Sequence, residues 1–300
     1  MKILISGATG LVGAALTSFL TAKGDQVIKL TRGTSAGDAI HWDPSSGTIK
    51  TSDLEGFDGV VHLAGESVAQ RWTPEAKDKI RLSRVKGTQA LVQALCQLQS
   101  KPKTLICASA IGFYGDRGSE ALSEESPPGT GFLAGVCREW EDASAPAGNA
   151  GIRTVIMRFG IILSEKGGAL AKMLPIFQLG AGGTLGSGQQ YMSWIALDDI
   201  VQAVYFALQT PSLSGPVNAV GPKPVTNAQF TATLGKVLRR PTFLPVPSFG
   251  PRLLFGEMAN EMLYAGAKVH PAKLEKHGFS FAQPELEAAL RQELRKPAVQ

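Results

Sequence analysis

Cysteine is scarce: Cys96, Cys107 and Cys137 are the only three in 300 residues, and their spacing fits neither a disulfide framework nor a zinc site nor a redox pair. The four histidines show no metal-ligand spacing, and neither His41 nor His62 has an evident partner. No apolar run reaches the roughly 18 residues that a membrane-spanning helix needs. Charge of one sign is also not concentrated. The formal net charge is +5, but its densest run, Arg291 to Lys296, is interrupted by Glu293 and reads as a solvated helix face. Metal, membrane and nucleic-acid chemistry are therefore not expected. The first strand pattern starts at Lys2, which leaves no room for a targeting peptide, so a cytoplasmic location is expected.

What is present is apolar and periodic. A content of 44% hydrophobic against 18% charged residues supports a sizeable globular core. Apolar runs at Lys2 to Ser6, Gln26 to Leu30, Gly59 to Leu63, Thr104 to Ala108 and Arg153 to Met157 read as strands. Helical periodicity lies between them, over Leu11 to Ala22, Pro74 to Leu98 (a long helix, continuous or broken once) and Leu133 to Ala145. Ala39 to Trp42 and Thr48-Ile49 flank a turn-rich stretch and predict a hairpin. Strands alternating with helices imply right-handed crossovers and a doubly wound α/β parallel sheet of Rossmann type. Past Arg158 the pattern loosens into glycine-rich loops over 165–192. A strand running into a helix follows over Ser193 to Leu208. From Pro222 prolines punctuate short helices, so residues 1–221 are expected to form the main domain and 222–300 a smaller substrate-side lobe.

Gly7-Ala8-Thr9-Gly10-Leu11-Val12-Gly13 lies between the first strand and its helix. One glycine makes the tight turn, the next lets the backbone approach a diphosphate, and the third permits close helix–strand packing. The helix end at Leu11 then offers free N–H groups and a positive dipole to phosphate. The second strand ends Lys29-Leu30-Thr31-Arg32, and the next acid is Asp38. An acid at the strand end would bind ribose hydroxyls and repel a 2′-phosphate, whereas Arg32, beside Thr31, can pair with one. The expected cofactor is NADP(H).

With these residues, the stretches GATGLVG (7–13), VVHLAGES (60–67), SAIGFYGD (109–116) and SWIALDDIV (193–201) resemble the extended short-chain dehydrogenase/reductases, the nucleotide-sugar epimerase/dehydratase superfamily. Arg71-Trp72-Thr73, Cys137 to Glu141 and the run from Gly167 to Trp194 resemble its atypical, epimerase-like branch. The resemblance implies cofactor contacts at Thr9 to Val12, at Ala64 and Gly65, at Ser109 and Ala110, and at Arg158 to Gly160, and Arg84 is expected among the cofactor-binding residues as well. It also implies dimerisation through the helices over 74–98 and 133–145, and some relatives carry labels linking them to cell or organelle division.

The resemblance breaks at the catalytic pair. The superfamily's Tyr-x-x-x-Lys falls on Phe132 and Val136, neither of which moves a proton, and a usual asparagine is Arg84. The literal Tyr264 to Lys268 match lies in the C-terminal lobe and is expected not to be catalytic. The remaining proton-bearing candidates are Tyr114 and Ser109, with Cys137 read as a buried helix residue. Glu66, Arg71, Tyr114, Gln189, Tyr191 and Trp194 are expected around a substrate pocket, and Trp72 is open between pocket and packing. Two readings stay open: an NADP(H)-dependent oxidoreductase or epimerase-like enzyme on an unidentified small molecule or nucleotide-sugar, and an NADP(H)-binding regulatory protein without catalysis that works through a protein partner.

Overall fold

The amino-terminal half alternates strand and helix: β1 Lys2–Ser6, α1 Leu11–Ala22, β2 Gln26–Thr31, β3 Ala39–Asp43, β4 Thr48–Ile49, β5 Gly59–His62, α2 Pro74–Cys96, β6 Thr104–Ala110, β7 Ala121–Leu122, α3 Phe132–Asn149 and β8 Arg153–Phe159. Shorter elements follow: β9 Ile161–Leu163, α4 Gly168–Gln178, β10 Tyr191–Met192, β11 Trp194–Ala196, α5 Leu197–Gln209, β12 Gly215–Ala219, β13 Val225–Thr226, α6 Asn227–Leu238, α7 Phe249–Phe255, α8 Glu257–Ala259, β14 Lys268–Val269, α9 Ala272–Lys276 and α10 Leu286–Glu293. This computed structural model describes residues 1–33, 39–44, 48–243, 246–247 and 249–295.

Eight strands form one sheet in the order β12-β8-β6-β5-β1-β2-β3-β4. Its neighbours are parallel except β4, which pairs antiparallel with β3 as the expected hairpin; the turn at 45–47 lies outside the described residues. The chain steps outward from β1 to β3, then returns to β5 on the other side of β1. That reversal is a topological switch point, where a crevice opens at the carboxyl ends of the strands.

Burial on both faces explains why the strands read as continuous apolar runs. Ile3 and Ile5 pack with Val61, Ile106 and Val155 against α1 and α5, while Leu4 packs with Val60 and Leu105 against α2. Helix α2 is continuous over 23 residues; Thr73 caps it by accepting from the Ala76 amide at 3.2 Å, and Pro74 occupies its first turn. Helix α3 extends past the expected Ala145 to Asn149. Residues beyond 221 serve two cores. Phe230 and Leu290 pack around Trp194 and Leu163, whereas Leu274, Phe279 and Phe281 join the core under α5. Among the described residues no helix is long and apolar enough to cross a membrane.

Candidate dinucleotide site

The loop from β1 into α1 is built around its glycines. Gly7 has φ +70°, in the left-handed region, and a Cβ there would lie 2.8 Å from the Leu63 carbonyl carbon. The Gly10 amide donates to the Gly7 carbonyl at 3.0 Å, which closes the turn. A Cβ on Gly13 would stand 2.1 Å from the same carbonyl oxygen, so α1 can sit this close to β1 only with glycine. Gly10 caps α1 without a side-chain bond, and the first turn holds no acid. Thr9 and Gly10 are exposed and Val12 and Gly13 buried, leaving the helix end open toward the crevice with its amides and positive dipole end. These residues fit a diphosphate.

At the end of β2 the Gly33 amide donates to Thr31 Oγ1 at 3.3 Å, which turns the chain. Arg32 is exposed and forms no ion pair with any described residue; Asp38 lies outside the described residues. Across the switch point, Leu63 and Ala64 abut Gly7, and Gly65 sits exposed beneath the Arg84 guanidinium. Ala110 ends β6 and is half-buried. The expected cofactor-facing positions therefore gather along the carboxyl ends of β1, β2, β5 and β6.

Beneath them is a residue that sequence reasoning left without a role. His62 is fully buried at the end of β5. Its Nδ1 lies 2.6 Å from Ser6 Oγ and its Nε2 3.1 Å from Thr88 Oγ1. Thr88 also accepts from Trp140 Nε1 at 2.9 Å, and Ser6 Oγ accepts from the Leu63 amide at 3.2 Å. The imidazole thus joins the dinucleotide loop to α2 and α3. Burial lowers its pKa from 6.5 to about 4. A depressed pKa means that His62 stabilises the folded state fully above pH 6.5, and that this contribution is lost as pH falls through about 4. At 1.36 kcal/mol per pKa unit the loss is about 3 kcal/mol. Urea unfolding between pH 7 and 4 should show wild type losing that much more stability than His62→Gln. Parallel pH profiles for the two proteins would remove the assignment.

The proton-bearing candidates take other roles. Tyr114 is fully buried. Its hydroxyl accepts from Arg158 Nη1 at 2.9 Å and shares its one proton between Asn218 Oδ1, 2.7 Å away, and the Ser123 carbonyl at 2.9 Å. Burial raises its pKa despite the neighbouring Arg158. It is a buried strut and not a substrate-facing acid. Ser109 is buried too, and its Oγ donates to Glu141 Oε1 at 2.7 Å. Arg158 grips both Glu141 oxygens, at 2.8 and 2.7 Å, with its guanidinium 3.5 Å from the Phe113 ring centre. Its side chain is thus committed to the interior and cannot be the expected contact. Trp194 is fully buried and donates to the Lys223 carbonyl at 3.0 Å, so it packs the core and does not line a pocket. Gly160 is required by packing, since a Cβ would lie 2.5 Å from the Ser193 carbonyl oxygen. Cys137 is buried and its thiol pKa is pushed up to about 11 by burial, which keeps it protonated.

Phe132 and Val136 extend this apolar character to the vacated catalytic positions. Phe132 meets Trp72 edge-on at 5.0 Å, and Trp72, Ile80, Val136 and Met258 close a small core beside it. Trp72 therefore packs. Helix α3 begins at Gly131 with no local side-chain cap. Glu261, 129 residues downstream, supplies one: its oxygens accept from the Phe132 and Leu133 amides at 2.8 and 2.9 Å. No local pattern reveals a cap that arrives from another part of the chain. Among the expected pocket residues, Arg71 and Gln189 are exposed and Glu66 and Tyr191 half-buried. The Glu66 amide donates to Ser83 Oγ at 3.0 Å, and the Lys268 ammonium lies 5.3 Å from the Tyr191 ring centre. Tyr264 packs instead near Gly186 and Arg252, so the literal Tyr-x-x-x-Lys match has its two side chains on different neighbours.

A switch-point crevice with a glycine-built diphosphate cradle defines the class: an atypical extended short-chain dehydrogenase/reductase. The chain belongs to the NAD dependent epimerase/dehydratase family, whose model matches residues 3–220; a domain of unknown function, DUF1731, matches 246–293. It is 44% identical to the epimerase family protein Mb2239 of Mycobacterium bovis over 93% of each chain. Human epimerase family protein SDR39U1, crystallised with NADPH, superposes with a TM-score of 0.91 at 33% identity, covering 98% of this chain and 99% of that one. A nucleoside-diphosphate sugar epimerase of Corynebacterium glutamicum superposes at 0.80 with 38% identity, covering 98% of this chain and 58% of that one.

Proposed function

We propose that this protein binds NADP(H) and uses it in an oxidoreductase or epimerase-like reaction on a small molecule or nucleotide-sugar, in the cytoplasm. The observation that carries the reading is the α1 N-terminus, without a side-chain cap and held against β1 by Gly13, with Arg32 at the end of β2 forming no ion pair among the described residues. The cofactor, when bound, supplies or accepts hydride. Gly7 to Gly13 would hold its diphosphate, Thr31 and Arg32 would take the 2′-phosphate, and Ala64, Gly65 and Ala110 would border its remaining length. Phe132, Trp72 and Val136 keep water from the position where the superfamily places its tyrosine and lysine. Tyr114, Ser109 and Cys137 are all buried, so none of the three is placed to exchange the proton that would accompany hydride.

That same burial favours a second reading, an NADP(H)-binding regulatory protein that engages a protein partner, as some division-linked relatives would imply. NADPH oxidation against a panel of carbonyl compounds and nucleotide-sugars separates the two. Turnover supports the enzyme, and its absence together with a partner captured only in the presence of NADPH supports the regulator.

For the cofactor itself, fluorescence titration should show NADPH binding at least about tenfold more tightly than NADH, since the extra phosphate gains a charge-assisted pair. Arg32→Ala should erase most of that ratio while leaving NADH affinity nearly unchanged. Equal affinities in wild type would rule out the 2′-phosphate role.

A further inference from the structure

Among the described residues ten large apolar side chains are exposed, and eight of them lie in residues 176–179 and 243–262. Helix α7 holds four. None of its residues is buried, and Phe249, Leu253 and Leu254 are 74, 76 and 65% exposed. Its one charged side chain is engaged by its own chain: Arg252 Nε donates to Asn260 Oδ1 at 3.0 Å, and the guanidinium lies 5.1 Å from the Tyr264 ring centre. Neither partner is an acid, so that charge is held but not neutralised. The segment is pinned on both sides of α7. Before it, the Val246 amide donates to the Thr184 carbonyl at 2.9 Å; after it, Met258 packs with Trp72, Ile80 and Val136. A Cβ on Gly180 would stand 3.6 Å from Pro241, which joins residues 241–247 to the end of α4, where Ile176 and Leu179 are also exposed.

The charge around this patch has one sign. No Asp or Glu occurs from Ile200 to Gly256, and none from Lys166 to Leu197. Of the two acids between those runs, Asp199 is buried against the Ala282 and Gln283 amides and Asp198 accepts from Gln292. Arg239 and Arg240, at the end of α6, are exposed and form no ion pair with any described residue. Lys172 lies one helical turn before Ile176, on the same face of α4. The acids that come near are already committed: Glu257 to Lys77, Glu261 to the first amides of α3, and Glu287 to Lys236.

We propose that α7 and the exposed end of α4 dock on the surface of an anionic phospholipid bilayer. The apolar side chains enter the boundary between headgroups and acyl chains, and Arg239, Arg240 and Lys172 meet lipid phosphates. Clustered exposed apolar side chains mark an interaction surface, and apolar side chains beside cations are the combination that holds a helix in the plane of a bilayer interface. A second copy of the chain fits this face poorly, because a twofold pairing would set the same arginines against each other. A helix with no buried residue stands out from the fold, and a fluid surface receives it without a matching groove. The lack of a long apolar run bears on spanning alone; lying on the surface needs no such run. The proposal is independent of the NADP(H) reading.

The test is vesicle flotation of the full chain as wild type, Leu253→Glu/Leu254→Glu and Arg239→Asn/Arg240→Gln, the asparagine suiting the left-handed φ of +54° at 239. Vesicles of phosphatidylcholine are compared with vesicles that also contain phosphatidylglycerol. Wild type should bind the anionic vesicles at least about tenfold better than the neutral ones and lose that margin at high salt. Replacing the leucines should weaken binding by about a hundredfold, because two side chains no longer leave water and two acids face the lipid phosphates. Replacing the arginines should cost about fivefold per cation and leave the weak binding to neutral vesicles unchanged. Phe249→Trp gives a second readout. The four native tryptophans are buried, so a blue shift in the added emission when anionic vesicles are mixed in reports α7 entering lipid. All the substituted positions are exposed, so melting temperature and NADPH titration should match wild type. Should the glutamates disturb folding, the arginine variant and Phe249→Trp carry the comparison. No flotation of wild type, equal binding to both vesicles, or binding unchanged by the leucine and arginine substitutions overturns the proposal. So does a wild-type dimer in sedimentation velocity that the leucine variant splits while neither protein floats, since the patch then belongs to a second copy.

Discussion

Glu141→Ala should cost about 3–5 kcal/mol of stability, the range for removing one partner of a buried ion pair. Glu141 and Arg158 have side chains only 9% and 3% exposed, and they meet through two bonds of 2.8 and 2.7 Å. Truncating the carboxylate leaves Arg158 charged in the interior, where Tyr114 and the Phe113 face cannot neutralise it. Ser109 also loses its acceptor. Urea unfolding at neutral pH measures the effect. The reverse substitution, Arg158→Met, should be comparably damaging because Glu141 is then the unpaired charge. The double variant Glu141→Leu/Arg158→Met removes both charges and should recover much of the loss. Additive single and double effects would show that the pair does not act as a unit. Tyr114→Phe bears on the same network: it should lower stability through the lost hydroxyl bonds, and turnover by the folded fraction should remain.

Gly13→Ala should nearly abolish dinucleotide binding, with affinity falling by about a hundredfold or more, equivalent to at least about 2.7 kcal/mol. Its Cβ would meet the Gly7 carbonyl oxygen at 2.1 Å, a backbone atom of the cradle itself, so α1 must move away from β1. The helix end then no longer faces the diphosphate. Overpacking of this kind adds a stability cost of about 1–3 kcal/mol. Gly148→Ala is the internal control: nothing lies within 4 Å of the Cβ it would add on α3, which leaves the cradle untouched. NADPH titration of the two variants should rank Gly13→Ala well below Gly148→Ala. Equal affinities would mean that the spacing between α1 and β1 does not set the site.

The dinucleotide cradle was legible in the sequence because each of its causes is local. Turn, close approach and helix packing depend on residues within one seven-residue stretch between a strand and its helix. The parallel sheet was legible for a related reason, since strands buried on both faces must be apolar throughout. The roles of Tyr114, Ser109 and Trp194 were misread because burial is decided by distant elements. Tyr114 is closed in by Asn218 and Arg158, 104 and 44 residues away, and Ser109 is turned inward by Glu141. A tyrosine after a strand end has the same local signature whether it faces a crevice or a core.

By itself, then, the sequence determined that a diphosphate-binding turn opens the chain, that no acid follows the second strand within the next few residues, and that Phe132 and Val136 stand where proton chemistry is usual. Tertiary structure alone decided which polar groups are spent inside the molecule and which are left for a ligand. A charge buried beside its opposite is quenched, as in Arg158, whereas the half-buried Arg84 forms no ion pair with any described residue. Only the folding of distant segments onto one another sorts the two arginines apart.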